Sequence, residues 1–385
     1  MTTLPVDPEP TVELPDREAA ATSSPLGGRP TGRSDQSDAT GASVVDLRPP
    51  SYRKHHMLAI VAFIAVVALV MPHLLGTRSS RHLGDLWLAY SIAGIGFYWT
   101  YAVAGRFAFC QPFMMALGGY TSAYVTGHQH QPFWFGLLAA VIVVTGVAAL
   151  IGLALHRAQL FYFAMATFAV TQMGAVAFAK ATGFTGPNGL VTGVSPPVVF
   201  GKKLLEDADV FWLLLGVLAL VLVLAALIER SPIHREATAA REAGTVATTL
   251  GVKVGRIRLS LFVLGSATGG LAGALIAHWT GVIGTETFGL ELAIGLFLVV
   301  LLGGRKSFWG PVVGAAFYLA VPDLLSGLDR YKGLVYGIVL LGTIMAFPDG
   351  LIGLVQHLGD VLRHQRFVAP LQRMRARLRP GGGHA

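Results

Sequence analysis

The sequence is poor in charge and in cysteine. Asp, Glu, Lys and Arg make up 13% of its 385 residues, against about a quarter in ordinary soluble chains. The single cysteine, Cys110, excludes an intrachain disulfide and any cysteine metal cluster, and reads as a small packing residue. No Gly-x-x-x-x-Gly-Lys-Ser/Thr run occurs. The stretch Gly303-Gly304-Arg305-Lys306 lacks that spacing, so it is a tight turn rather than a phosphate loop. There is no HExxH pair, no Ser nucleophile elbow and no Cys/His metal spacing. The sequence therefore predicts no catalytic residues, no metal, no cofactor, and no ATP hydrolysis by this chain.

Apolar runs are what the chain has in abundance. Hydrophobic residues make up 53%, and the mean hydropathy is +0.60. A bilayer core about 30 Å thick takes roughly 20 apolar residues per helix, and ten such runs are found. They lie near Met57–Leu75, Asp85–Ala104, Phe107–Thr126, Phe133–Leu155, Leu160–Ala179, Val210–Ile228, Ile257–Gly281, Phe288–Leu302, Trp309–Leu325 and Leu334–Phe347. The 47 glycines suit close helix packing in lipid. The expected fold class is an all-α integral membrane protein, a polytopic bundle of about ten transmembrane helices over residues 57–354. Residues 1–56, rich in Pro, Ser, Thr, Gly and acids, read as a disordered tail and not as a signal peptide. Residues 355–385 form a basic tail.

The charges orient these spans. With the amino terminus in the cytoplasm and ten alternating spans, 22 of the 29 Lys and Arg fall on inner segments, as the positive-inside rule requires. Both termini are then cytoplasmic, in a multi-pass protein of the plasma (cell inner) membrane. The net charge of +8 faces anionic lipid of the bilayer, not nucleic acid.

The longest polar segment between spans, residues 229–257, falls on the inner side. Ser231 followed by Pro232 reads as an N-cap with Pro at N1. Good helix formers run to Leu250, interrupted by Gly244, and Gly251 sits where a C-terminal glycine cap belongs. Residue types alone leave two uses for this helix: lying in a groove of a soluble partner, or lying on the lipid surface. The helix that follows carries Gly265, Gly269 and Gly273 on one face, and Gly310 and Gly314 repeat the spacing. Such small-residue faces pack either within one chain or against a second subunit.

The segment REAGTVATTLGVKVGRIRLSLFVLGSATGGLAGAL resembles the coupling loop and following helix of the branched-chain amino acid ABC transporter permeases. The likeness continues in GPNGL (186–190), ETFGLEL (286–292), LLGG with WGPVVGAA (301–316) and FPDGLIGL (347–354). It is greatest to the LivM-type subunit. The resemblance implies a type II-like ABC importer permease for branched-chain amino acids or a related small polar solute. It implies four partners: a LivH-type sister permease, two cytoplasmic ATPases and an extracytoplasmic solute-binding protein. It assigns the ATPase coupling loop to Glu236, Arg241, Glu242, Ala243, Gly244, Leu250 and Gly251. One turn departs from the family pattern: Gly105 to Phe113 reads GRFAFCQPF, without the usual polar Ser and His, which leaves the solute open.

Polar residues in or near the spans are few. Gln172, Asn188 and Glu291 are candidates for a substrate path, while Glu286 and Asp323 lie near the outer interface, where the cost of a charge is small. His278 reads as a helix-end packing residue. GPNGL reads as a turn with positive φ, facing either the protein's own surface or the solute-binding protein. The alternative, an ion-coupled secondary transporter or channel, calls for charged groups at the midplane and inverted repeats with broken helices. The spans offer neither.

Overall fold

A computed structural model describes residues 56–74, 78–199, 202–204, 207–324, 332–346 and 350–353. The two tails lie outside these residues, as do Phe347, Pro348, Asp349 and Leu354 of the last motif.

The described chain is mostly helical. In order run α1 (His56–Leu74), α2 (Arg78–Tyr98) continued by a π-helix (Trp99–Val103), α3 (Gln111–Gly127), α4 (Phe133–Ala154), α5 (Leu160–Lys180) and the short α6 (Thr182–Thr185). Then come α7 (Asp207–Arg230), α8 (Pro232–Glu242), α9 (Gly244–Thr249), α10 (Val254–Thr280), α11 (Leu290–Gly303), α12 (Gly310–Leu324) and α13 (Lys332–Ala346). Ten of these have fourteen residues or more among the described residues. Five segments are both long and apolar enough to cross a membrane: Phe133–Ala154, Leu160–Lys180, Asp209–Arg230, Val254–Thr280 and Thr285–Gly303. Helix α4 shows why: its 22 residues include no charge, so only an apolar surround accepts it.

Helices α2, α3 and α10 form the centre. Helix α10 packs on α3, α4 and α2, and α2 also packs on α7, α11 and α12. Contact between them is backbone to backbone. A Cβ built at Gly273 would overlap the Met115 carbonyl, one at Gly118 would overlap the Gly270 carbonyl, and one at Gly265 would overlap the Gly96 carbonyl. Gly269 lies against the Gln111 side chain. The α11–α12 hairpin repeats the arrangement, with Gly314 against the Val299 carbonyl and Gly310 against Gly304. Where no hydrophobic force separates helix from lipid, such close approach supplies the van der Waals contact that holds helices together.

Two details differ from the sequence expectation, the start of α2 and the continuity of the loop helix. Helix α2 begins at Arg78, seven residues before the expected apolar start at Asp85. Its polar opening turns are compatible with a helix, but hydropathy does not mark them. The connection after α5 carries α6, a 3₁₀ turn (Pro187–Gly189) and strands of two small antiparallel ribbons. One ribbon, β1 (Val191–Thr192), pairs with β4 (Val282–Ile283) just past α10. The other joins β2 (Val198–Val199) to β3 (Lys202–Lys203). The loop helix is broken in two, because Ala243 leaves helical geometry at φ −142° and ψ 62°.

Candidate functional site

The polar segment after α7 folds as two short helices laid across one end of the bundle. Pro232 occupies the first turn of α8, as expected, but the Ser231 hydroxyl donates back to the Ile228 carbonyl (2.6 Å) and does not cap α8. Small side chains on one face, Ala237 and Ala240, are buried, which lets α8 lie close to α10, α7 and the π-helix. Arg235, Glu236, Arg241 and Glu242 stay exposed. Arg241 reaches Glu242 at 3.6 Å. In α9 the order reverses: Ala247 is buried, while Val246 (57% exposed) and Leu250 (78%) point outward. Gly251 then takes φ +84°, a left-handed conformation that costs a glycine little, and turns the chain into α10. Of the residues that the family resemblance assigns to the coupling loop, Glu236, Arg241, Glu242, Ala243, Leu250 and Gly251 are exposed and Gly244 is half-buried; Val246 and Leu250, one helical turn apart, form an exposed apolar strip.

Beneath α8 lies the π-helix. All five of its residues are buried. Its wide turns close from Ala104 N–H to Trp99 O (2.9 Å) and from Arg106 N–H to Thr100 O (3.0 Å). The Ala102 carbonyl accepts a hydrogen bond from the Arg241 guanidinium of α8. Gly105, at φ +69°, lies under the Arg241 stem, where a Cβ would come within 2.8 Å of its Cγ. The loop helix is therefore fastened into the end of α2.

The atypical turn, Gly105 to Phe113, is filled by protein contacts. Arg106, buried, donates to the Leu155 carbonyl (3.5 Å) and to the His156 and Ala158 carbonyls (3.2 Å each). Its guanidinium carbon lies 4.8 Å from the Phe163 ring centroid. It thereby satisfies the open carbonyls at the end of α4, where a cation is also favoured by the helix dipole. Burial, and then the charge of Arg258, lower its pKa to about 10, so it remains charged near pH 7. Phe109 is held from both sides: its N–H donates to the Thr167 hydroxyl (3.1 Å) and its carbonyl accepts from the Thr171 hydroxyl (2.8 Å). Gln111 Nε2 donates to the Gly265 carbonyl (2.9 Å) in the packed centre.

The three substrate-path candidates are spread over the surface. Gln172 is exposed on α5, Asn188 on the 187–189 turn, and Glu291 on the first turn of α11. Asn188 has φ +55° and its glycine neighbours +72° and +73°, so GPNGL forms a turn with positive φ. Tyr120 donates to the Gly189 carbonyl and fixes that turn to α3. His278, buried, is held between the Ser122 hydroxyl (2.8 Å) and the Ser195 carbonyl (2.7 Å).

Two contacts central to this end of the bundle have only faint signals in the sequence. Arg106 is flanked by Phe107 and Phe109, which is unusual company for a solvated loop cation. Arg241 carries no such mark, because its partner is a backbone carbonyl 139 residues away.

Known proteins resemble the chain along most of its length. It is 24% identical over 313 residues to the high-affinity branched-chain amino acid transport system permease protein LivM of Salmonella typhimurium, covering 75% of this chain and 73% of that one. LivM of Escherichia coli is 24% identical over 319 residues, 77% and 74% of the two chains. LivH of Salmonella typhimurium is 29% identical over 136 residues, 34% of this chain and 44% of LivH. No solved structure matches significantly. The family model described as branched-chain amino acid transport system / permease component matches residues 86–344, from α2 to α13 and through the loop helices. The chain belongs to that family of transport permease components.

Proposed function

We propose that the chain is a transmembrane permease subunit of an ATP-driven ABC importer with a type II-like bundle. Its solute is a branched-chain amino acid or a related small polar molecule. Ten helices cross the plasma membrane, with both termini cytoplasmic. A LivH-type sister permease completes the pathway, two cytoplasmic ATPases grip the loop 229–257, and an extracytoplasmic protein delivers solute. When the ATPases close on ATP, the loop moves and tips the bundle between outward and inward access, a two-state element biased by a ligand.

One observation carries this reading. The strip of Val246, Leu250, Glu236 and Glu242 is exposed on helices that Arg241 ties to the central helix α2. A surface offered to a soluble partner and joined to the core in this way suits the transfer of motion. These four residues also lie within residues 86–344, which match the family model of branched-chain amino acid transport permease components.

The test is co-purification. The double variant Val246→Asp/Leu250→Asp should insert normally and lose its ATPases, since burying charge at the centre of an interface removes at least about 2 kcal/mol, or some thirtyfold in affinity. Gly251→Val, which strains the left-handed turn, should act in the same direction. Unchanged co-purification of the ATPases would overturn the docking assignment. Solute uptake by vesicles that follows an ion gradient and ignores ATP would overturn the importer.

A further inference from the structure

Helix α7 packs on α2, α1 and α8 but touches α10 little. Between α7 and α10, with α4 as the third wall, lies a cleft of about 600 Å³. All three walls are segments long and apolar enough to cross a membrane. Leu220 and Leu224 line it from α7, Val141 from α4, and Leu259, Val263 and Leu271 from α10. Leu220 is 67% exposed, so the cleft is open at the side of the bundle. The hydroxyls on its walls spend their protons inside their own helices. Thr145 donates to the Val141 carbonyl (2.6 Å), Ser260 to the Ile257 carbonyl (2.9 Å) and Thr268 to the Gly265 carbonyl (2.9 Å). A polar solute finds no free donor there, and its desolvation would go uncompensated.

Size separates the apolar occupants. From Arg256 to Leu271 the cleft follows α10 for about 22 Å, at a rise of about 1.5 Å per residue. A helix is about 10–12 Å wide and would fill roughly 1,700 Å³ over that length, so it can only lie across the cleft. A hydrocarbon chain can lie inside it. The polar end agrees with a lipid. Arg256 stands at the loop end of the cleft and also lines an adjoining recess of about 620 Å³, together with Lys253, Thr248 and Gly251. Both cations are exposed, and among the described residues no acid lines either space. Side chains of this kind lay their stems along apolar surface and keep their charge at the interface. The cleft selects a lipid chain whatever other partners the two cations have, and the cations then favour an anionic headgroup over a neutral one.

We propose that this cleft holds an acyl chain of an anionic phospholipid whose headgroup lies at Arg256 and Lys253. The chain runs into the loop segment from α7 and leaves it through α10, so the lipid is wedged between the two helices that carry the loop. The binding itself is independent of the transport reading. Its consequence, that the lipid sets how far α7 and α10 can close on each other, rests on the coupling role proposed for the loop.

The experiment uses the full chain and needs no transport partner, so its outcome is separate from that of the importer reading. The chain is reconstituted in equal parts of phosphatidylcholine and phosphatidylglycerol, extracted in mild detergent, and the lipid still bound is read by native mass spectrometry. Phosphatidylglycerol should be retained over phosphatidylcholine by about twenty-fivefold, since each Lys or Arg at an anionic surface is worth roughly a factor of five. Ala267→Phe fills the cleft without changing charge and should abolish retention. Val141→Phe, on the α4 wall, makes the same test if the first variant fails to insert. Lys253→Gln/Arg256→Gln should still retain a lipid but hold the two headgroups equally. Four results would overturn the site: no retained lipid, retention that both cleft-filling variants leave unchanged, a headgroup preference that the double glutamine variant keeps, or lipid shed as two chains associate, which would make this face a contact between copies.

Discussion

Gly273 and Gly216 both lie within long helices, and they should respond to the same substitution in opposite directions. Gly273 touches the Met115 backbone, and a methyl group there would overlap the carbonyl. Gly216, on α7, has nothing within 4 Å of where its Cβ would be. Gly273→Ala must push α10 away from α3, at a cost of about 1–3 kcal/mol for overpacking, or more if the helices cannot shift. Gly216→Ala meets no obstacle and reduces the freedom of the unfolded chain, a gain of about 0.4–1 kcal/mol. Denaturant titration of the purified chain in detergent would read both. If the two variants moved together, helix propensity rather than backbone contact would set the role of the glycines. The same contrast shows what a glycine motif tells a reader of the sequence. The spacing of Gly265, Gly269 and Gly273 marks a packing face, but not the partner. Here the partners are the Gly96 carbonyl, the Gln111 side chain and the Met115 carbonyl, all in this chain.

At the scale of elements, the informative feature is the joint between α8 and the π-helix. The Ala102 carbonyl lies in the last turn of the helix, where no further helical N–H follows to reach it, and Arg241 supplies the donor. Turns of the π type are frequent at functional sites. If the loop docks ATPases as proposed, Arg241→Ala should leave the outward Val246 and Leu250 intact, so that they still bind, and should cut the contact through which loop motion would reach α2. Losing one hydrogen bond to a charged group removes about 1.5–3 kcal/mol of that coupling. Solute uptake per ATP hydrolysed should therefore fall roughly tenfold or more in proteoliposomes holding the whole assembly. Uptake and hydrolysis falling in proportion would deny Arg241 a coupling role. This joint was not legible in the sequence, since it depends on two segments more than a hundred residues apart and on a local change of helix type. The long helices were legible, because an uncharged run such as Phe133–Ala154 is unsuited to water in any conformation. The two-helix loop was partly legible: Gly244 and Gly251 mark the break and the exit, while the turned-back Ser231 hydroxyl does not follow from residue type.

For the molecule as a whole, apolar length and packing together bear on which helices cross the membrane. Among the described residues five segments are long and apolar enough by themselves, and α2 and α3 are not among them. Yet α2 and α3 are the buried centre, with Ser91, Gln111, Thr121 and Ser122 all inside. A helix shielded from lipid by its neighbours can carry polar groups across a bilayer, because its surround is protein. The contacts impose a further constraint. Arg241 of α8 meets Ala102 after α2, and Arg106 meets Leu155 and Ala158 between α4 and α5. These junctions therefore share one end of the bundle. An α2–α3 hairpin that crosses and returns satisfies this, as does the α4–α5 hairpin. With α1 and α7 added, the proposed topology counts six crossings before the loop, which would set it on the side of the amino terminus, in keeping with the charge asymmetry. The lone cysteine makes a direct test simple, since Cys110 is fully buried and leaves little background labelling. In right-side-out cells, Glu236→Cys and Lys306→Cys should be silent to an impermeant maleimide until the membrane is opened. Asn188→Cys and Thr192→Cys should react at once. Labelling of Glu236→Cys from outside would reverse the topology and, with it, the side on which any ATPase can engage the loop.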